Sequence, residues 1–219
     1  MKITKYPQSC LLIESNGKKI LIDPGILSYE DSFFNNWKDA DLILITHKHA
    51  DHCYTEIIKE IVKNNKSKIY SSKEVQEFNT DLLINIVRDV DVFEFEGIKI
   101  EVVKAVHGYI PALKGEKEIN ENIGFIIEVE NKRIYITSDT ICFKNDYKCD
   151  VLCLPVSNHG LVMGPFEAAL FAKETGANLI VPIHMDNPKF PTEVNELKKN
   201  FEEQELNYKI LEIGESIEI

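Results

Sequence analysis

Short, uninterrupted apolar runs that alternate with helical patterns constrain the fold of this chain most strongly. Residues 42–45, 151–156 and 179–183 consist almost entirely of Ile, Leu and Val. Runs of this length are typical of strands that are buried on both faces. Helical spacing of apolar residues, with Pro, Gly and Thr at the ends, predicts helices over residues 55–64, 166–175 and about 192–203. The pattern therefore predicts an α/β fold, a strand-rich core between layers of helices.

Hairpin signals add antiparallel strands to this core. Three pairs of predicted strands are each separated by a two-residue turn: residues 10–14 and 18–22 around Asn16-Gly17, residues 125–130 and 133–137 around Asn131-Lys132, and residues 91–95 and 98–106 around Glu96-Gly97. Residues 208–213 and 216–219 are predicted as closing strands. In the last helix, Thr192 is the predicted cap, and Val194, Leu197 and Phe201 are predicted to face inward.

Composition limits the class of protein and its partners. A length of 219 residues without a linker predicts one domain over residues 1–219. The five cysteines are irregularly spaced and the apolar runs are too short for a membrane helix or a signal peptide, so we expect a cytoplasmic protein. A net charge of −11 opposes nucleic-acid binding. We expect a small-molecule substrate, no nucleic acid and no membrane partner; a monomer and a homo-oligomer both remain open.

The histidines point to a metal site. Three of the six fall in one run directly after the predicted strand at residues 41–46, in the order His47-Lys48-His49-Ala50-Asp51-His52. Imidazoles and a carboxylate at such spacing suit divalent transition metals, zinc above all. Further candidate ligands follow other predicted strands: His107, Asp139 and His184. Each alone could be an ordinary core or surface residue, but strand ends converge at one edge of a sheet, where open sheets place their ligand sites.

These motifs resemble a known family. The run 46–52, Thr-His-Lys-His-Ala-Asp-His, looks like the HxHxDH signature of the metallo-β-lactamase superfamily. Ala-Val-His at 105–107, Thr-Ser-Asp-Thr at 137–140 and Pro-Ile-His at 182–184 fall in that family's order. Residues 8–14 and 20–25 are similar to its first hairpin. The resemblance covers about residues 3–219, and the length is similar to the small stand-alone bacterial metal-dependent hydrolases, close to lactonases of the ascorbate-phosphate type.

The resemblance implies a fold and a ligand set. The implied fold is an αβ/βα four-layer sandwich of two mixed sheets flanked by helices, with the site at its edge. The implied cofactors are two divalent metal ions, Zn²⁺ first and Mn²⁺ or Fe²⁺ as alternatives. The implied ligands are His47, His49 and His107 for one ion, Asp51, His52 and His184 for the other, and Asp139 as the bridge.

The predicted activity is that of a hydrolase acting on a small ester, lactone, amide or phosphoester. Two divalent ions lower the pKa of a bound water and so supply a nucleophile near neutral pH. Asp51 is expected to orient that nucleophile or to carry a proton. Asp23 is expected to accept an N–H from a ligand histidine, the alternative being an ordinary Asp-Pro turn. Ser9 carries the same two interpretations.

The sequence offers four more candidates near the site. His159 follows the predicted strand 151–156, and we expect it to donate to an oxyanion or a leaving group, with Asn158 as a second donor; the alternative is a loop histidine that packs against Met163 or Phe166. Tyr109, with Pro111 and Leu113, lines either an apolar lid or an ordinary loop. Cys53 is expected to be structural rather than a nucleophile.

Two rival functions remain. A phosphodiesterase or RNA-processing hydrolase would require a basic stripe, and the densest cluster, Lys59, Lys63, Lys66 and Lys68, fits an ordinary helix face and its end. A non-catalytic metal-binding protein would not require Asp51. The sequence does not name the substrate, because one fold hosts many chemistries.

Overall fold

The chain forms two compact units in a computed structural model, which describes residues 1–111, 114–115 and 117–219. The first unit comprises residues 1–88 and 212–219, and the second comprises residues 89–211. Leu113 of the predicted lid lies outside the described residues. The expectation of a single domain over residues 1–219 stays a prediction.

The first unit is built on a seven-stranded mixed sheet. Its elements are β1 (Lys2–Lys5), β2 (Leu11–Ser15), β3 (Lys18–Ile22), α1 (Asp31–Trp37), β4 (Leu42–Leu44), α2 (Thr55–Asn65), β5 (Lys68–Ser71), α3 (Lys73–Phe78), β6 (Ile84–Ile86) and, at the end of the chain, β13 (Ser216–Glu218). The strand order is β13-β1-β2-β3-β4-β5-β6. The strands from β13 to β3 pair antiparallel, and those from β3 to β6 pair parallel.

The second unit contains a six-stranded mixed sheet. Its elements are β7 (Val92–Phe95), β8 (Ile98–Lys104), β9 (Ile123–Val129), β10 (Lys132–Ile136), β11 (Val151–Pro155), α4 (Pro165–Thr175), β12 (Leu179–Ile183) and α5 (Val194–Glu203). The strand order is β12-β11-β10-β9-β8-β7. Strands β10, β11 and β12 run parallel, whereas β7, β8, β9 and β10 alternate in direction.

Each unit has an apolar core between its sheet and its helices. In the first unit, Trp37 of α1 and Ile58 of α2 are buried in the same cluster as Ile43 of β4. In the second unit, Phe171 of α4 and Phe201 of α5 are buried in one cluster with strand residues of β10, β11 and β12. Two mixed sheets flanked by helices confirm the predicted α/β class.

Several local predictions are confirmed where turn or cap chemistry is specific. Asn16 and Gly17 both have positive φ, 51° and 71°, as a type I′ turn requires. Helix α2 covers the predicted range and adds one residue. Helix α4 begins at Pro165 and ends against Gly176, whose φ of 70° satisfies the left-handed cap. No helix among the described residues is both long and apolar enough to cross a membrane.

Other local predictions are wrong. The β9–β10 turn is centred on Glu130 and Asn131, one residue before the predicted pair, because these two residues take positive φ. Residues 208–213 form no strand; Tyr208 makes one isolated bridge to Ile180. Helix α5 starts at Val194, which is 40% exposed rather than inward. Thr192 does not cap it, since its hydroxyl donates to the Val156 carbonyl.

Candidate metal centre

The first unit brings Asp23 and His47 to the carboxyl edge of its parallel strands. Asp23 directly follows β3, and Thr46 and His47 follow β4, which pairs parallel with β3. Parallel neighbours end at the same edge, so the two segments lie side by side. The backbone N–H of Thr46 donates to Asp23 Oδ1 at 2.8 Å.

Asp23 is a fully buried carboxylate that receives three hydrogen bonds. Besides the Thr46 N–H, its Oδ2 accepts from the Thr46 hydroxyl and from His52 Nδ1, each at 2.8 Å. Burial raises the pKa of the Asp23 carboxyl, and the charge of His52 and these hydrogen bonds oppose the rise. Asp23 therefore holds the candidate ligand His52 by its Nδ1, the arrangement that a supporting carboxylate has in metal sites.

The hydrogen bonds fix which ring nitrogens can bind a metal. His52 Nδ1 donates to Asp23, which leaves Nε2 with its lone pair. The Thr46 hydroxyl donates to Asp23, so it accepts from His47 Nδ1 at 3.1 Å, and His47 Nε2 also keeps its lone pair. His49 Nδ1 lies 3.1 Å from His47 Nε2. This tautomer assignment, inferred from partners, suits imidazole ligation.

Gly25 allows the chain after Asp23 to pack against the backbone of Asp51. A Cβ atom at Gly25 would lie 1.8 Å from the Asp51 carbonyl oxygen, so no side chain fits there. The Ile26 N–H donates to the Ala50 carbonyl, and the Tyr54 N–H donates to the Pro24 carbonyl, each at 2.8 Å. The Asp51 side chain itself is partly exposed, and its Oδ2 lies 3.9 Å from His52 Nε2.

The second unit collects its candidate residues by the same rule. Strands β8, β10, β11 and β12 all point the same way, because β8 and β10 are both antiparallel to β9. The residues that follow these four strands at the shared edge are His107, Asp139, His159 and His184. His184 and Asp139 are both buried, with His184 Nε2 3.3 Å from Asp139 Oδ2.

Asparagine and threonine side chains fix the loop that carries Asp139. The Asn122 amide donates to the Asp139 carbonyl at 2.6 Å, and the Ser138 hydroxyl donates to Asn122 Oδ1 at 2.7 Å. Thr140 Oγ1 accepts from the Val106 N–H at 3.0 Å. The loops that carry Asp139 and His107 are therefore tied together within the second unit.

His107 is held in a tautomer that leaves Nε2 for a ligand. Its Nδ1 donates to the Gly108 carbonyl at 2.7 Å. The Gly108 N–H donates to the Leu161 carbonyl at 2.9 Å. A Cβ atom at Gly108 would lie 2.7 Å from the backbone of Gly160 and Leu161. Only glycine permits this approach between the two loops.

Left-handed backbone conformations occur at the candidate site. Asp23, Ser138 and His184 have φ of 47°, 65° and 58°. Such conformations are costly for residues with a Cβ and cluster at functional sites. Here each one sits directly at the end of a strand, where it turns a functional side chain, or the next one, toward the sheet edge.

His159 carries its proton on Nε2. The Leu161 N–H donates to His159 Nδ1 at 3.1 Å, so the neutral ring has its N–H at the other nitrogen. The ring makes edge-to-face contacts with His184 at 5.5 Å and with Phe190 at 5.7 Å between centroids. Phe190 was not identified from the sequence, since nothing in its local pattern sets it apart.

The remaining candidates are placed as follows. Ser9 is buried in the turn between β1 and β2. Asn158 is exposed, and Tyr109 is 56% exposed; the roles assigned to these three stay predictions. Cys53 is buried, and burial followed by the charge of Asp23 raises its pKa to about 12. Its thiol stays protonated at neutral pH, which favours the structural interpretation.

The donor set fits a divalent transition metal. The predicted ligands of the first unit are His47, His49, Asp51 and His52, and those of the second are His107, Asp139 and His184. They offer imidazole nitrogens and carboxylate oxygens, and the hydrogen bonds of His47, His52 and His107 place the ring proton on Nδ1 and the lone pair on Nε2. Such nitrogen and oxygen donors suit zinc, manganese and iron.

Comparisons with known proteins agree with this arrangement. A model of the β-lactamase superfamily domain matches residues 2–184. The chain is 31% identical over its full length to the whole of a UPF0173 metal-dependent hydrolase from Listeria welshimeri, and 29% identical, again over both full lengths, to one from Korarchaeum cryptofilum.

Solved structures agree as well. Igni18, a metallo hydrolase from Ignicoccus hospitalis, superposes with a TM-score of 0.81 at 25% identity, covering 99% of this chain and 97% of that one. The metallo-β-lactamase fold protein YhfI from Bacillus subtilis shares the fold with a TM-score of 0.76 at 16% identity, covering 99% and 98%. The domain match and the full-length relative show that this chain belongs to the metallo-β-lactamase superfamily and is a metal-dependent hydrolase of the UPF0173 kind.

Proposed function

We propose that the protein uses two divalent metal ions to hydrolyse a small ester, lactone, amide or phosphoester. One observation carries the proposal: each unit gathers its own predicted ligands at one edge of its sheet. In the first unit, the His47 ring lies 4.8 Å from the His49 ring and 4.0 Å from the His52 ring, between centroids. In the second unit, His184 Nε2 lies 3.3 Å from Asp139 Oδ2. Seven nitrogen and oxygen donors exceed the four that one tetrahedral ion uses, which supports two ions.

The metals would supply the activated water and polarise the oxygen of the scissile bond. The chain's own residues fix the ligand histidines and the nucleophile in position. Asp23 and Thr46 keep His47 and His52 in the tautomer that ligates through Nε2. Asp51 is partly exposed, so its carboxylate can accept a hydrogen bond from the nucleophile and align it with the substrate.

His159 is proposed as a hydrogen-bond donor to the developing oxyanion or to the leaving group. Its Nδ1 is occupied by the Leu161 N–H, so Nε2 presents the only ring N–H of the neutral imidazole. The His159 ring contacts the ring of His184, a proposed ligand, so His159 lies next to the proposed metal site. His159 itself is not proposed as a ligand. The neutral imidazole N–H would stabilise the negative charge that develops on the oxyanion or the leaving group by a hydrogen bond, without giving up its proton.

The activity is tested with purified, metal-loaded protein on panels of lactones, esters, thioesters, amides, β-lactams and phosphodiesters. We expect turnover on at least one small-molecule panel, and loss of that turnover in Asp51→Ala with the fold and at least one metal retained. Asp81→Ala is the control, because its carboxylate pairs with Lys59 at an exposed position. Near-normal kcat in Asp51→Ala would contradict the assigned mechanism. Turnover confined to nucleic acid would favour the phosphodiesterase alternative.

For His159, we expect His159→Ala to keep its metals and melting temperature but to lower kcat by roughly 10²–10³-fold, the usual effect of removing one hydrogen-bond donor to an oxyanion. Kinetics on a substrate and metal analysis of the same preparation provide the measurement. Unchanged kinetics with lower thermal stability would make His159 a packing residue. Loss of metal would mean that the ligand set is wrongly assigned.

A further inference from the structure

The loop after β12 holds one aromatic side chain beside the candidate site. This Phe190 loop (residues 185–192) is closed by a hydrogen bond from the Thr192 N–H to the Met185 carbonyl at 3.0 Å. The Ser157 hydroxyl donates to the Phe190 carbonyl at 3.1 Å, and the Thr192 hydroxyl donates to the Val156 carbonyl. The backbone of Phe190 is therefore fastened to the end of β11, the strand that leads to His159.

The Phe190 ring is only half covered. Its edge-to-face contact with His159 has centroids 5.7 Å apart and an interplanar angle of 76°. The His159 ring in turn contacts His184 at 5.5 Å. Yet 50% of Phe190 remains exposed. Phe190 therefore has a fixed backbone and an exposed apolar surface. Only the His159 ring lies between it and the proposed ligand His184.

We propose that Phe190 is a specificity-determining residue that contacts an alkyl or aryl group next to the scissile bond. This inference rests on the proposed function and narrows its substrate to esters or lactones with an apolar substituent. A fixed phenyl ring gains little from a charged or strongly hydrated group, whereas it removes apolar substrate surface from water. One methylene in a hydrophobic site is worth about 10–200-fold in kcat/KM.

The test compares γ-butyrolactone with γ-nonalactone, which carries a pentyl chain, in wild type, Phe190→Ala, Phe190→Leu and the exposed control Leu83→Ala. We expect wild type and Leu83→Ala to favour γ-nonalactone by at least about tenfold in kcat/KM. Phe190→Ala should lose most of that preference, measured as the ratio of the two kcat/KM values, whereas Phe190→Leu should retain most of it. An unchanged preference in Phe190→Ala would overturn the proposal. An equal loss on both lactones would also overturn it, since Phe190 would then only position His159.

A binding measurement keeps this inference separate from the proposed function. Calorimetric titration of the metal-loaded protein with hexanoate and with acetate requires no turnover. We expect hexanoate to bind at least about tenfold more tightly than acetate, and Phe190→Ala to abolish the difference. If no substrate of the panels is hydrolysed but this difference is found, the proposed function fails and the assignment of Phe190 stands. If hexanoate and acetate bind equally to wild type, the assignment of Phe190 fails whatever the activity.

Discussion

One buried carboxylate, Asp23, controls two of the candidate ligands. It accepts directly from His52 Nδ1 and, through the Thr46 hydroxyl, sets the proton on His47 Nδ1. Burial raises its pKa, so the ionised form depends on its three donors. Asp23 has a left-handed backbone conformation, which is strained for a residue with a Cβ. This conformation directs the carboxylate toward His52 and the Thr46 hydroxyl.

We therefore predict that Asp23→Asn lowers metal affinity by about 10–100-fold, because the amide cannot accept from both histidine and threonine as a carboxylate does. Competition with a chelator measures the change. The matched control is Asp41→Asn, since Asp41 also accepts a backbone N–H, from Lys19 at 2.9 Å, but at the opposite end of the same strands. Equal metal affinity in the two variants would show that Asp23 does not support the ligands.

At this scale the sequence indicates the candidate ligand residues and the role of Asp23 as acceptor for one of them, but not the contacts made by Thr46 and Phe190. The HxHxDH run is readable because its residue types and spacing are specific. The Thr46 relay depends on parallel pairing of β3 and β4, and the Phe190 contact depends on the path of the loop after β12. Side-chain contacts between distant segments leave no mark in local sequence.

The loops after the strands of the second unit act as one connected element. The Met163 N–H donates to the Thr140 carbonyl at 3.1 Å, and the Ser157 N–H donates to the Met163 carbonyl at 3.0 Å. The Gly108 N–H donates to the Leu161 carbonyl and so joins the loop of His107 to the loop of His159. The positions of His107, Asp139 and His159 therefore depend on one another.

Gly108→Ala is predicted to disturb all three. Its Cβ would stand 2.7 Å from backbone atoms, and such overpacking costs about 1–3 kcal/mol. We expect a lower melting temperature and weaker metal binding. Gly164→Ala is the control, because its nearest contact is the flexible end of Glu167 at 3.2 Å. A Gly108→Ala variant as stable and as tightly metallated as Gly164→Ala would contradict the close approach.

The strands β8, β9 and β10 are linked by a cluster of charges with a pH signature. Hydrogen bonds from Arg133, and then from Lys99, lower the pKa of Glu101 to about 2, while burial opposes them. Because the folded pKa lies below the ordinary value of 4.5, this stabilisation is present above about pH 4.5 and is lost as the pH falls toward 2. Glu101→Gln should therefore lower the melting temperature at pH 7 and converge with wild type near pH 2.

A pH series of thermal melts measures this effect, with Glu60→Gln on the exposed face of α2 as the control. A constant difference between Glu101→Gln and wild type from pH 7 to pH 2 would mean that ionisation of Glu101 does not contribute. Since the cluster is partly exposed, the difference should also shrink at high salt.

Elements were predictable where the signal is local. The Asn16-Gly17 turn and the Pro165 to Gly176 helix carry their own turn and cap chemistry. The short helices α1 and α3 were missed, since six or seven residues show too little periodicity. Residues 208–213 have the composition of a strand, but only Tyr208 forms a bridge, to Ile180. A strand also requires a neighbouring strand to pair with, and composition alone does not supply one.

At the scale of the whole molecule, both units place their candidate ligands in the same way. Each has a mixed sheet whose parallel strands end at one edge, and each places candidate ligands in the loops there. The first unit supplies three histidines and Asp51, and the second supplies two histidines and Asp139. We propose that these seven side chains hold two metal ions rather than one.

Metal analysis of active protein purified without chelator tests that claim most directly. Nitrogen and oxygen donors in this number exceed what one tetrahedral ion uses, so elemental analysis should give close to two zinc, manganese or iron ions per chain. Removal of metal should abolish hydrolysis, and activity should return as the second equivalent is added. Full activity with one metal ion per chain, or with none, would contradict the account.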